Sequence, residues 1–237
     1  MVKTEFLNRT VVPGPQPWTI VLAAGEGTRL RALTRALYGT PRPKQFAVIQ
    51  GEKSLLQMTL SRSAIWSPAE QTVVVVAQDW EQLARFQVRE LQGVDLVAQP
   101  RNLGTGPGVL LPLARVLERD PAALALVVPS DHYVRDIEPF VDSLARAERL
   151  ARRNDSVVLI GAVPDRPETQ YGWIVPSPGR AGRGVSHFHE KPGAALAKEL
   201  FEGGALWNTF VMIARAEVLW SMLQTEGELV EMVRHVR

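Results

Sequence analysis

Short apolar runs alternate with longer amphipathic segments along most of this chain. The apolar runs predict strands at residues 18–23, 72–77, 94–98, 123–128, 156–162, 171–175, 184–189 and 206–213. Helical periodicity predicts helices at residues 54–65, 79–91, 106–119, 137–153, 193–202 and 215–235. This alternation is typical of βαβ units, so we expect an α/β fold around a mostly parallel central sheet.

The spacing of the predicted elements changes after Ala162. The following segment, "PDRPETQYGWIVPSPGRAGRGVSHFHEKP", is rich in proline and glycine and holds two short strand candidates. Frequent proline and glycine are typical of turns, so this segment predicts an insertion with a pair of strands and not another βαβ unit.

Length and composition indicate one soluble globular domain. With 237 residues and a mean hydropathy of -0.04, the chain can bury a real core and lacks the low hydrophobicity of disordered proteins. We expect one domain at residues 18–237, after a loose lead-in at residues 1–17 that contains three prolines and no signal-peptide apolar region.

The composition also excludes several classes of partner. No apolar run reaches the ~18 to 20 residues that cross a bilayer, so we expect no membrane contact. The chain has no cysteine, which excludes disulfides and thiolate metal sites and suits a cytoplasmic protein. A net charge of +2 is too small to indicate a nucleic-acid surface.

Polar motifs follow three of the predicted strands. "GEGTR" comes after the first strand, "QPRNLGTGPG" after the third and "PSDH" after the fourth. Ligands of open α/β sheets collect at the carboxyl ends of the strands, so these motifs predict one binding region.

The first motif has the features of a phosphate-binding turn. Gly25 and Gly27 let the backbone approach a ligand and take up positive φ, and Arg29 adds a cation. A dinucleotide fingerprint would need a third glycine where Leu30 stands, and a P-loop would need Gly-Lys-Ser/Thr where Leu30 and Arg31 stand. A plain strand-to-helix turn is the alternative.

A lysine and an aspartate complete this candidate region. Lys44 lies in "PRPKQF", a segment that we expect to be too proline-rich for a helix, and its alternative is a solvated surface lysine. Asp131 follows an apolar strand and suits Mg²⁺ with substrate phosphates, unless it caps the next helix with help from Ser130. His132 we interpret as a structural hydrogen-bonding residue.

Two later motifs carry polar side chains on predicted strands. Glu190 and Lys191 are neighbours in "FHEKP", and alternation along a strand predicts that their side chains point to opposite sides and do not satisfy each other. A simple surface ion pair between them is the alternative. Asn208 stands in the apolar strand "LWNTF", where its amide needs partners, either sugar hydroxyls or structural groups.

Taken in order, "VLAAGEGTRL", "PKQF", "NLGTGPG", "PSDH", "YGWI", "FHEKP" and "LWNTF" resemble the motifs of sugar-1-phosphate nucleotidylyltransferases. They look most like the mannose-1-phosphate guanylyltransferase branch, over about residues 20–210. The resemblance implies a three-layer Rossmann-like fold and a Mg²⁺-dependent enzyme, with residues 18–237 as its catalytic domain, complete or truncated at its C-terminus. Such an enzyme joins a nucleoside monophosphate unit of an NTP, here GTP, to a sugar 1-phosphate, here mannose 1-phosphate, and releases pyrophosphate.

The resemblance also implies roles for individual residues. The nucleotide-binding set is Ala23, Ala24, Gly25, Gly27, Thr28, Arg29, Gly104 and Thr105. The substrate-binding set is Gly172, Glu190, Lys191 and Asn208. The catalytic set is Arg29, Lys44, Asp131 and Lys191, with Asp131 as the Mg²⁺ ligand. No general base is assigned, because the attacking phosphate has a second pKa of about 6 and is already ionised at neutral pH.

The chain departs from the family pattern at several places. Phe210 stands where a glycine normally follows the motif asparagine, and the 237 residues do not include the later segment that carries a second metal-binding Asp in this branch. One alternative is therefore a non-catalytic module, or fragment, that binds a nucleotide or sugar phosphate. A further alternative, an NAD(P) oxidoreductase, is supported by Gly25 and Gly27 alone. The oligomeric state stays open, a homo-oligomer included.

Overall fold

The computed structural model describes residues 14–100, 104–178 and 184–224. It divides into two compact units. The first unit is Met1–Val158 with Met212–Arg237, and the second is Leu159–Val211. No helix in the described ranges is both long and apolar enough to span a membrane.

The regular elements are these. The strands are β1 (Trp18–Ala23), β2 (Thr72–Ala77), β3 (Asp95–Gln99), β4 (Leu124–Pro129), β5 (Val158–Ala162), β6 (Gly172–Pro176), β7 (Val185–Glu190) and β8 (Leu206–Arg215). The helices are α1 (Arg31–Tyr38), α2 (Leu55–Ser63), α3 (Glu81–Val88), α4 (Thr105–Arg119), α5 (Ile137–Arg153), α6 (Ala194–Glu202) and α7 (Ala216–Gln224).

In the first unit, a parallel core of strands runs in the order β3-β2-β1-β4. The second half of β8 then pairs with β4 in the antiparallel sense. The sequence of β2, "TVVVVA", explains its central place, because every residue of it is buried and β-branched side chains suit a strand that is covered on both faces.

Helices cover both faces of this sheet. On one face, Ile20, Val73 and Val127 belong to the same buried cluster as Leu110 and Leu113 of α4. On the other face, the hydroxyl of Thr19 lies 2.6 Å from that of Ser67, which follows α2. Successive strand residues face opposite ways, so the arrangement is the predicted three-layer, Rossmann-like α/β fold.

The second unit contains the predicted pair of strands. β6 and β7 are antiparallel, with Trp173 opposite His189, and β6 also pairs with the first half of β8. β5 pairs with β8 as well. Trp173 is fully buried and packs with Leu200 and Ala205, which gives this unit an apolar cluster of its own.

Most elements predicted from periodicity are confirmed within a few residues at each end. The prediction missed α1, an eight-residue helix in which Thr34 is the only buried residue, although Leu33 and Leu37 recur there at helical spacing. Of the helix predicted at residues 215–235, Ala216–Gln224 is seen and the rest lies outside the described residues. Residues 1–13 of the lead-in also lie outside them, and the extent of the catalytic domain stays a prediction.

Candidate functional site

The motifs after β1 and β4 meet at one edge of the sheet. These strands are parallel neighbours, with Leu22 opposite Pro129, so their carboxyl ends lie side by side. Ser130 joins the two ends, because its backbone N–H and its hydroxyl both donate to the Leu22 carbonyl, at 3.0 and 2.7 Å. Asp131 is therefore held beside the glycine turn that follows β1.

The glycine turn is shaped by Gly27. This residue has φ 58°, in the left-handed region, and a Cβ built on it would lie 2.8 Å from the backbone N of Lys44. Gly25 lies outside the positive-φ region, so the expectation of positive φ is wrong for it. Thr28–Leu30 form a 3-10 turn on which Arg29 is exposed, and Arg29 makes no ion pair with any residue that the structure describes.

Lys44 and Asp131 form an ion pair. The Lys44 Nζ lies 2.8 Å from Asp131 Oδ2, and each side chain is about 30% exposed: 31% and 29%. The alternative of a solvated lysine is therefore wrong. Lys44 also opens a 3-10 turn, Lys44–Phe46, so the expectation of a wholly non-helical segment is wrong too.

The alternative role of Asp131 as a helix cap is also wrong. The next helix, α5, begins at Ile137 with Asp136 at its N-cap. Asp131 lies well before that cap in the chain, and its carboxylate faces Lys44 instead.

His132 lies beside this ion pair. Its Nε2 is 3.7 Å from Asp131 Oδ1, and its side chain is partly exposed. Burial lowers the pKa of His132 below its usual value, Asp131 opposes that shift, and the cations Lys44 and Arg62 add to it. Arg62, whose own pKa is lowered by burial, donates to the His132 carbonyl at 3.0 Å.

Gln45 is a residue that the sequence reasoning missed. Its side chain is 2% exposed, and its Nε2 donates to the carbonyls of Ala23 and Gly25, at 2.8 and 2.7 Å. The only sequence sign of this role is its position in "PKQF", directly after Lys44.

The carboxylate of Asp131 suits a metal that arrives with phosphates. Mg²⁺ takes one or two carboxylates and fills its other positions with water and phosphate oxygens. Within the described ranges, no group of three or more His, Cys, Asp or Glu side chains is placed to hold a metal ion. A single carboxylate such as that of Asp131 would fit a metal only if a bound phosphate supplied further ligands.

A pocket of about 470 Å³ adjoins the glycine turn. Its walls include Glu26, Asp79, Trp80 and Pro100. Gln99, directly before Pro100, is 1% exposed, and neither polar atom of its side chain has a hydrogen-bond partner in the described part of the chain. Sequence reasoning did not single out Gln99.

Gly104 and Thr105 lie near the carboxyl end of β3, the strand next to β2. Gly104 has φ 87° and precedes α4, whose first residue is Thr105. Parallel strands bring their carboxyl ends to one edge, so these two residues share an edge with the glycine turn.

The second unit gathers the predicted substrate residues. A Cβ built on Gly172 would lie 2.8 Å from Glu190 Oε2 and 3.4 Å from the Asn208 Cβ. Asn208 Oδ1 accepts from the Phe210 N–H at 3.0 Å, so the amide NH₂ of Asn208 takes no part in that hydrogen bond. Gly172 thus leaves room for the carboxylate.

The expectation that Glu190 and Lys191 point apart is wrong. β7 ends at Glu190, and Lys191 has φ 45°, which breaks the strand alternation. The Lys191 Nζ consequently reaches Glu190 Oε1 at 2.8 Å. Phe210, with φ 60°, is the other non-glycine residue with positive φ in the described ranges.

The chain matches a family model and several curated proteins. The family model described as "Nucleotidyl transferase" matches residues 18–236. "Xanthan biosynthesis protein XanB" of Xanthomonas campestris pv. campestris is 34% identical over 201 residues, which cover 83% of this chain and 42% of that protein. "Mannose-1-phosphate guanylyltransferase" of Salmonella montevideo is 31% identical, with 84% and 43% covered. The chain thus spans about two fifths of the length of these relatives.

Solved structures show the same likeness. A Thermus thermophilus protein described as a "mannose-1-phosphate geranyltransferase" gives a TM-score of 0.77 at 31% identity, over 93% of this chain and 68% of that one. A Helicobacter pylori protein described as a "mannose-6-phosphate isomerase" gives a TM-score of 0.76 at 26% identity, over 94% and 80%.

Proposed function

This chain belongs to the nucleotidyl transferase family, and from that premise we propose that it transfers a nucleoside monophosphate unit from GTP to mannose 1-phosphate. The observation that carries the proposal is the meeting of three features at one sheet edge: the glycine turn, Lys44 and Asp131. The guanylyltransferase name of a relative supports the choice of substrates.

In the proposed reaction, a phosphate oxygen of the sugar 1-phosphate attacks the α-phosphorus of the NTP. The new bond is the P–O bond of the nucleotide sugar, and the bond between the α-phosphorus and its bridging oxygen breaks. Its electron pair leaves on pyrophosphate. Because the attacking phosphate is ionised at neutral pH, the barrier is one of charge and position, and no side chain has to remove a proton.

The first unit would hold the triphosphate. Thr28, on the turn after Gly27, would bind phosphate with its hydroxyl, and the exposed Arg29 would pair with phosphate oxygens. Lys44 would exchange Asp131 for a phosphate when the nucleotide binds, which leaves the carboxylate to a divalent metal. The family generally uses such a metal, and we propose Mg²⁺, which would neutralise phosphate charge.

The base would lie in the pocket beside the turn. Trp80 offers an aromatic ring, and the exposed carboxylate of Asp79 can accept from the N–H groups on the edge of guanine. Ala23 and Ala24, with Gly104 and Thr105, would border the nucleotide.

The second unit would bind the sugar 1-phosphate. Glu190 and the NH₂ of Asn208 would take sugar hydroxyls, Gly172 would leave the room for them, and Lys191 would turn from Glu190 to the sugar phosphate. We also propose that the protein acts in the cytoplasm, which its lack of cysteine suits.

The test is pyrophosphate release from each of four NTPs with several sugar 1-phosphates and Mg²⁺. We expect turnover to be highest with GTP and mannose 1-phosphate, and D131N to reduce kcat/KM at least about a hundredfold. Asp136 provides the matched control, because it is an exposed carboxylate at the start of α5 and D136N should leave turnover within twofold. Equal activity of D131N and wild type would refute the proposal. Saturable GTP binding without turnover would instead indicate the non-catalytic module.

A further inference from the structure

We infer that Gln45 is a positioning residue that aims the backbone N–H groups of the glycine turn at the nucleotide; this inference rests on the function proposed above. Its Nε2 carries two hydrogens, and both are used, one on the Ala23 carbonyl at 2.8 Å and one on the Gly25 carbonyl at 2.7 Å. One side chain therefore fixes two peptide groups of the same turn.

The direction of those peptide groups follows from their covalent geometry. No described peptide bond is cis, and in a trans peptide the C=O and the next residue's N–H point in opposite directions. Because the Ala23 and Gly25 carbonyls face Gln45, the N–H groups of Ala24 and Glu26 face away from it. Backbone N–H groups directed to one side of a turn form an anion-binding surface.

Gln45 can act as a rigid reference because its own turn is anchored. The Lys44 backbone lies against Gly27, where a Cβ would come within 2.8 Å. The next carbonyl, that of Phe46, accepts from Gln87 Nε2 at 2.9 Å, and the Phe46 ring packs 6.2 Å from the Trp80 ring. The Gln45 side chain itself is buried, so it orients the turn without touching substrate.

Two substitutions separate this role from simple packing. Q45E keeps the shape of the side chain but presents carboxylate oxygens to two carbonyls, so both hydrogen bonds become repulsive contacts. Q45M keeps the length and removes the donors without adding charge, which gives an answer even if Q45E does not fold. Gln57 is the matched control, because its side chain also makes two bonds to backbone, with the Ser54 N–H and the Gln87 carbonyl. It is a stringent control, since it contacts the anchoring residue Gln87 but makes neither of the two bonds to the glycine turn.

The measurement is the KM for GTP and the KM for the sugar 1-phosphate, determined separately for wild type, Q45M and Q57M. We expect Q45M to raise the KM for GTP about 10- to 30-fold, as the loss of two hydrogen bonds implies, with the sugar KM within twofold. Q57M should leave both values within twofold, although it lowers Tm by removing a helix cap. A folded Q45M with the GTP KM of Q57M, or with both KM values raised equally, would overturn the inference.

The role of Gln45 can be tested even if the proposed reaction is wrong. If wild type turns over no combination of substrates, the reaction is refuted, and calorimetric titration with Mg²⁺-GTP still compares the same three proteins. Weaker binding by Q45M than by Q57M would then support the role of Gln45, and equal binding would refute it.

Discussion

The contact between Gly27 and the Lys44 turn predicts that alanine at residue 27 destabilises the protein more than alanine at residue 39. In G27A, the new methyl group would lie 2.8 Å from the Lys44 backbone N at a residue whose φ is 58°. In G39A, the φ is similar, 75°, but nothing lies within 4 Å of the new Cβ. The two variants therefore share the backbone strain and differ in the clash.

The expected magnitudes follow from these two terms. A left-handed conformation costs a residue with a Cβ about 1 to 2 kcal/mol relative to glycine, which is the whole effect expected for G39A. Overpacking against fixed backbone adds about 1 to 3 kcal/mol, so G27A should lower the free energy of unfolding by about 2 to 5 kcal/mol. Because the Lys44 turn must shift to relieve the clash, G27A should also weaken GTP binding, whereas G39A should not.

Urea unfolding gives the two free energies, and calorimetry with Mg²⁺-GTP gives the two affinities. The reasoning would be refuted if G27A and G39A lost the same stability. It would equally fail if G27A bound GTP as tightly as G39A, since the clash would then leave the Lys44 turn in place.

Three further results are expected. The F210G variant should have a free energy of unfolding about 1 kcal/mol higher than F210A, because both lose the ring and only glycine relieves the strain of a φ of 60°. A higher free energy of unfolding for F210A in urea would contradict this. Q99L should raise the free energy of unfolding by about 1 kcal/mol, because it removes a buried amide that has no hydrogen-bond partner among the described residues; a less stable Q99L in urea unfolding would count against this. NMR titration should place the pKa of His132 below that of an unfolded histidine, and lower still in D131N; stability should therefore fall as pH drops below about 6.5, and a raised pKa would contradict the burial.

The sheet was predictable because its strands are local patterns. β2 and β4 are short apolar runs flanked by polar motifs, and a buried parallel strand needs little more than that. Helix α1 was missed although Leu33 and Leu37 stand four residues apart. The helix is short, both leucines are exposed, and it is bounded by the glycine turn before it and by Gly39 after it.

The site was predictable in its members but not in its contacts. Topology alone brought Asp131 to the end of β1, whereas the Lys44 partner depends on where a 3-10 turn ends in space. The left-handed Lys191 and the bonds from Gln45 to Ala23 and Gly25 are set by tertiary packing, which side-chain alternation and motif spacing do not encode.

The most direct test of the proposed reaction follows the oxygen atoms. Mannose 1-phosphate carrying ¹⁸O in its non-bridging phosphate oxygens is incubated with GTP, Mg²⁺ and the protein, and both products are analysed by mass spectrometry. Attack by the sugar phosphate on the α-phosphorus predicts that all of the label is retained in the nucleotide sugar and none appears in pyrophosphate. Label in pyrophosphate, or GTP consumed without a labelled nucleotide sugar, would contradict the account.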